Sequence, residues 1–153
     1  MMIKKYIILI LVSFSFSIVF CQEGKKDTGF FDNDDIEDII YYEFFANQVD
    51  GPYYKCKIIC GNKREYNFDL GVGFEGIAFF NCSRGCIETY QERVGMSGFE
   101  TNEIYIFKKE YDNWILEKSE TTYIGGKKED YKPKVPTGID GREYEIKKVM
   151  KKK

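Results

Sequence analysis

The chain has 153 residues, with 23 Lys and Arg against 25 Asp and Glu, no His, and 43% hydrophobic and 17% aromatic residues. That length suits one domain better than two separate cores, and the apolar content argues against a disordered chain. A net charge of −2 lacks the basic footprint of a dedicated nucleic-acid binder, and the absence of His removes imidazole-based catalysis and His-ligated metal sites.

Residues 1–21 read as an export signal. Lys4 and Lys5 form a positive start, and Tyr6–Phe20 is uncharged and rich in Ile, Leu, Val, Phe and Ser. The run is shorter than the ~20 residues that span a bilayer as a helix; an uncleaved single-span anchor is the rival reading. Cleavage after Cys21 leaves Gln22 as the new N-terminus. Cleavage before Cys21 makes that thiol the lipidated first residue, because Ile18, Val19 and Phe20 before Cys21 resemble a bacterial lipobox. Phe20 stands where such a motif usually carries Gly, Ala or Ser, so ordinary secretion is favoured over a lipid anchor. The expected location is the periplasm, outer membrane or extracellular space, with membrane contact only through that anchor.

Residues 22–31 read as a flexible polar leader, 32–150 as a single globular domain and 151–153 as a basic tail. Phe30–Asn47 has the pattern of an N-terminal helix. Asp34 precedes Glu37 as in a capping box, Asp32, Asp35 and Asp38 suit a helix N-terminus, and Ile36, Ile39, Ile40 and Phe44 recur at helical spacing. The β-formers in Ile40–Phe45 support a strand start instead. Asp32–Asp38 lacks the Gly and closing Glu of a calcium loop, so a solvated capping turn is expected there.

The five cysteines are Cys21, Cys56, Cys60, Cys82 and Cys86. Either fate of Cys21 leaves four, which in an oxidising compartment read as two disulfides rather than a zinc site. Tyr53–Cys60 alternates like a strand, with Tyr54, Cys56, Ile58 and Cys60 on one face. Residues four apart on a strand lie ~13 Å apart, beyond the ~7 Å reach of a disulfide. Cys56–Cys60 is thereby excluded, and Cys82–Cys86 with it if all four are paired. The antiparallel pattern, Cys56–Cys86 with Cys60–Cys82, is preferred over the parallel one, Cys56–Cys82 with Cys60–Cys86.

Asp50-Gly51-Pro52 is a break. Strands are expected at Tyr53–Cys60, Arg64–Leu70 and Phe74–Asn81, with Gly61-Asn62 as a hairpin turn. Gly71–Gly76 reads as a bulge or tight connection, lacking the ending of a phosphate loop. Ile87–Val94 suits either a helix turn or a strand, and Gly95–Gly98 a loop. Glu103–Lys109 and Asn113–Ser119 form the cleanest hairpin, which Thr121–Ile124 extends. Gly125–Gly141 reads mostly as loop, and Arg142–Val149 as a weak strand closing the sheet. The expected fold is α+β, mostly β: one antiparallel sheet of about five to seven strands, an N-terminal helix and two disulfides.

No motif points to catalysis or a cofactor, and no metal set is assigned. Paired carboxylates would allow a small acid-pair hydrolase, but no pair is singled out by spacing. Arg84, bracketed by Cys82 and Cys86, resembles the braced Arg that some protease inhibitors offer to an acidic pocket; the plain alternative is an exposed Arg beside a Gly turn. Trp114 and the many aromatics suit recognition of protein or sugar, or else fill the core. The Lys-rich end, Lys147–Lys153, suits either an anionic surface or a solvated terminus. The functional expectation is an exported, non-catalytic, protein-binding domain of inhibitor or immunity type. A sugar- or lipid-binding envelope protein and a small hydrolase are the alternatives.

Overall fold

The computed structural model describes residues 24–47, 51–71, 76–93 and 98–145, and among these there is no helix. Nine strands run in sequence: β1 (Lys25–Gly29), β2 (Asp38–Asn47), β3 (Gly51–Ile59), β4 (Glu65–Gly71), β5 (Gly76–Ser83), β6 (Cys86–Arg93), β7 (Phe99–Lys108), β8 (Asn113–Tyr123) and β9 (Lys128–Tyr131). They form two antiparallel meanders, β1-β2-β3-β4 and β5-β6-β7-β8-β9, in which neighbours in sequence are neighbours in space. Residues 1–21, read from the sequence as an export signal and including Cys21, lie outside the described residues, as do Val94 and the end from Ile146.

The sheets pack across one shared core. The first contributes Ile40, Tyr42, Tyr54, Cys56, Ile58 and Phe68; the second contributes Ile77, Phe79, Ile87, Tyr105, Phe107 and Trp114. Edge-on ring contacts cross the interface, Tyr42 to Phe79 at 4.9 Å and Tyr66 to Trp114 at 4.9 Å between centroids. Such contacts add to the burial of large rings.

The architecture corrects the α+β expectation: the fold is all-β, with two sheets rather than one and more strands than foreseen. The expected N-terminal helix over 30–47 is a loop followed by β2. Asp32 Oδ1 accepts the Asp34 backbone N–H at 2.8 Å, and Asp34 Oδ1 accepts that of Ile36 at 2.8 Å. These short side-chain bonds capture the donors a first helical turn leaves open and hold a turn instead. From Asp38 onward burial alternates, with Ile40 and Tyr42 inward and Tyr41 and Glu43 outward. The register Ile40↔Ile58 and Tyr42↔Cys56 shows the packing partner that selects strand over helix. β1 lies within the segment 22–31 read as a leader, paired with β2 through Asp27↔Ile40.

The two-disulfide expectation is also corrected. One disulfide joins Cys82 and Cys86, with Cα atoms 5.4 Å apart, and Cys56 and Cys60 are free and buried. The exclusion of Cys82–Cys86 rests on all four cysteines being paired, and the preferred antiparallel pattern on an extended segment there. The chain instead reverses at Arg84 and Gly85, with Ser83 paired to Cys86 across a hairpin, so residues four apart in sequence come within bonding reach. The inward alternation of Tyr54, Cys56, Ile58 and Cys60 is as expected. Gly61-Asn62 does lie in the β3–β4 turn, where the Cys60 N–H donates to the Arg64 carbonyl at 2.9 Å. β7 and β8 form the expected hairpin, turning at Asp112 with φ 49°. Gly125–Gly141 contains the short β9.

Candidate functional site

The loop 30–37 meets both the β3–β4 turn and the β5–β6 hairpin. Asp38 opens β2 with its side chain fully buried. Its Oδ2 accepts the Asp32 backbone N–H at 2.9 Å and its Oδ1 accepts that of Gly61 at 2.9 Å. Burial raises the Asp38 pKa above its ordinary value, the two backbone donors oppose that rise, and the nearby Asp32 charge adds to it. Asp32 is buried as well. Its Oδ2 accepts from Asn62 Nδ2 at 3.1 Å and from Arg64 Nη2 at 3.2 Å. Arg64 in turn reaches Asp112 at 3.1 Å, and Tyr66 OH donates to the same carboxylate oxygen at 2.8 Å.

Cys60 completes this knot. Its sulfur and the Asp32 and Asp38 carboxylates bring ligand atoms within 4.8 Å of one another. Burial pushes the Cys60 thiol up to about 12, and the Asp38 and Asp32 charges push the same way, so it stays protonated at neutral pH. Both carboxylates are already engaged by backbone or side-chain N–H donors, and Arg64 supplies a cation to Asp32. The group is a structural knot that shapes the loop.

What the loop then holds is the hairpin tip. Phe31 is buried, and its carbonyl accepts a short bond from Trp114 Nε1. Phe30 points out, 40% exposed, while its carbonyl accepts the Gly85 N–H at 2.9 Å. Asn81 clamps the same place: Oδ1 accepts the Phe30 N–H at 3.3 Å, and Nδ2 faces the carbonyls of Phe30, Ser83 and Cys86. From the other side the Phe107 N–H donates to the Gly85 carbonyl at 2.8 Å. Gly85 has φ 71°, and a Cβ there would lie 2.1 Å from Asn33 Oδ1, so only glycine fits.

The tip is therefore closed covalently by Cys82–Cys86 and pinned by backbone bonds on both sides. Arg84 stands at its corner with its side chain 57% exposed, ion-paired to Asp35 of the loop, whose side chain is more open still. Phe80, 52% exposed, precedes the tip on β5, and Ile36 is exposed on the loop beside Asp35. Among the candidate residues, Arg84 is thus surface-presented, whereas Trp114 is fully buried, a core residue with no surface to offer a ligand. Cys82 and Cys86 brace the tip together, while Cys56 and Cys60 lie in or beside the core. Sequence reasoning missed the contributions of Asn81, Asn33 and Asp38. Their partners lie far along the chain, and no local spacing announces them.

No protein-family model, curated protein or solved structure matches this chain. The class that the described residues define is a two-sheet antiparallel β protein of nine strands with a disulfide-closed hairpin.

Proposed function

We propose that this is an exported, non-catalytic protein-binding domain that engages its partner through the end of the molecule carrying Arg84. The observation that carries the reading is the pre-organised tip. A single exposed arginine sits on a hairpin closed by a disulfide and tied by backbone bonds to Phe30 and Phe107. Arginine and aromatic side chains supply most hot-spot energy in interfaces, and rigid presentation lowers the ordering cost of binding. Phe30, Phe80 and Ile36 add exposed apolar surface around it. The surface pair with Asp35 contributes little on its own, so a partner carboxylate in a drier setting competes for Arg84 effectively.

The tip also narrows the inhibitor idea. A segment that mimics a protease substrate is extended around its anchor, whereas Arg84 lies at the corner of a two-residue turn. A charged knob fitting an acidic pocket suits this geometry better than a substrate mimic. Export accords with the Cys82–Cys86 disulfide, which persists in oxidising compartments.

The test is cross-linking of the purified mature protein in an envelope extract, followed by affinity measurement with the partner recovered. Arg84→Ala and Phe80→Ala should each weaken that complex by at least about tenfold, and Lys127→Ala, away from the tip, should not. A complex indifferent to both tip substitutions would overturn the reading. So would turnover of glycan or peptide substrates that a single carboxylate substitution abolishes.

A further inference from the structure

We infer that the outer face of the second sheet docks a basic polypeptide segment across β6 and β7, with one of its Lys or Arg side chains seated between Glu92 and Glu100. On β6, Ile87, Thr89 and Gln91 are buried, and on β7, Thr101 and Tyr105. Side-chain direction alternates along a strand, so Glu88, Tyr90 and Glu92 of β6 and Glu100, Asn102 and Ile104 of β7 face outward. Beside them on β5 stand Ala78, opposite Tyr90, and Phe80, opposite Glu88. These eight positions hold three carboxylates and no Lys or Arg.

The register sets Glu92 directly opposite Glu100. Residues in that relation have Cβ atoms about 4.5–5.5 Å apart, and like charges there destabilise a sheet. Among the described residues, neither of them nor Glu88 is in an ion pair. The nearest outward cations, on β8 and β9, are committed elsewhere: Lys128 bonds to Glu120 at 2.7 Å and, with Lys118, lowers that carboxyl's pKa. Arg93 follows Glu92 but pairs with Phe99, and alternation sends its side chain to the other face. The Tyr90 hydroxyl lies in the field of both acids: desolvation raises its pKa, and the Glu100 and Glu92 charges push it the same way. A cation placed between Glu92 and Glu100 turns this repulsion into two attractions.

The surroundings select a polypeptide rather than a bare cation. Glu92, Glu100 and Thr122 line a cavity of about 340 Å³ together with Phe99, Tyr123 and Ile124. Its apolar walls suit the aliphatic stem of a Lys or Arg side chain, whose charged head then meets the carboxylates. Ile124 is 70% exposed at this cavity, and Tyr90 and Ile104 continue the apolar surface along the face. A metal ion would meet the carboxylates and leave that surface in water, whereas a segment with basic and apolar residues covers both. Arg84 and the loop 30–37 take no part, so the inference does not rest on the tip reading.

The experiment is a titration of the ¹⁵N-labelled protein at low salt with a synthetic peptide of alternating Arg and Leu. The same peptide with Glu in place of Arg, spermine and calcium chloride serve as comparisons. The expected result is saturable amide shifts confined to β6, β7 and β8 with the Arg peptide, weakened by added salt, and none with the Glu peptide. Glu92→Gln and Glu100→Gln should each weaken binding by about tenfold, and Arg84→Ala should leave it unchanged. The urea midpoint of both glutamine variants should hold or rise, because each removes the like-charge pair; a pair kept for structure alone would lower it. Absence of saturable shifts with the Arg peptide would overturn the inference. So would binding indifferent to both glutamine variants, a lowered midpoint in either, equal shifts from spermine or calcium alone, or self-association through these strands without peptide.

Discussion

The buried carboxylate of Asp38 accepts the backbone N–H of Asp32 through one oxygen and that of Gly61 through the other, each at 2.9 Å. It therefore ties the loop before β2 to the turn after β3. Asp38→Asn exchanges one acceptor for a donor that faces an N–H, so a buried group loses its partner. We expect a loss of about 1–3 kcal/mol, read as a lower urea midpoint with an unchanged slope. An unaltered midpoint would remove Asp38 from the account of the loop.

Glu103, half-buried on β7, is a second acid with a raised pKa and gives the stability a pH dependence. Its Oε2 accepts from Tyr105 OH at 2.9 Å, Gln91 Nε2 at 3.2 Å and Thr89 Oγ1 at 3.5 Å. Burial raises its pKa above the ordinary 4.5, and the bonds from Tyr105 and Thr89 only partly offset the rise. Asp38 is raised above 3.8 for the same first cause. A carboxylate raised in the folded state binds its proton more tightly there than in the unfolded chain. Its contribution is full below the unfolded pKa and is lost as pH climbs through the folded one. Stability should therefore fall as pH rises from the ordinary carboxylate range toward neutrality. Glu103→Gln, which keeps one acceptor oxygen for Tyr105, should flatten that fall in urea titrations across pH. An equally steep fall in the variant would refute the assignment to Glu103.

Thiol chemistry should distinguish the cysteines. Burial holds the Cys56 and Cys60 thiols at about 12, so neither should react with a thiol reagent at neutral pH until the protein unfolds. The Cys82–Cys86 bridge closes only a short loop, and the double substitution Cys82→Ser, Cys86→Ser should cost about 2 kcal/mol. Mapping of non-reduced proteolytic peptides should recover Cys82 joined to Cys86. Peptides joining Cys56 or Cys60 to either of them would contradict the fold described.

Trp114 should report the interior. It is fully buried against Tyr66 and Phe107, and its Nε1 serves the Phe31 carbonyl. Its fluorescence should be blue-shifted and shielded from a soluble quencher, and should shift red on unfolding. Trp114→Phe leaves that carbonyl unpaired and opens space, with an expected cost of about 1–3 kcal/mol. Native emission at the wavelength of the unfolded chain would contradict this packing.

Legibility in the sequence followed the range of the interactions. Residues 53–60 read correctly as a half-buried strand because alternation is set by the pleat alone. The β7–β8 hairpin was legible because its turn residues sit between two apolar runs. The helix expected over 30–47 failed because the same isoleucines and aromatics satisfy both periods over a short stretch. Asp32 and Asp34 then bond to the backbone two residues ahead rather than capping a helix.

The candidate sites divide the same way. Arg84 between two cysteines was visible as a motif, but the wrong pairing was preferred because strand geometry was extended across what is a turn. The row of Tyr41, Lys57 and Asn67 across β2, β3 and β4 has no local signature, since its members meet only through register.

By itself the chain determined that strands dominate and which side of β3 turns inward, because side-chain direction alternates with the backbone. The tertiary structure decided what local chemistry leaves balanced. It chose strand over helix at β2 by supplying β3 as a partner, and Cys86 over Cys60 for Cys82 by folding the hairpin back on itself. Contacts between residues distant in sequence have no local signature, and here they carry both the bracing of the tip and the assembly of the sheet face.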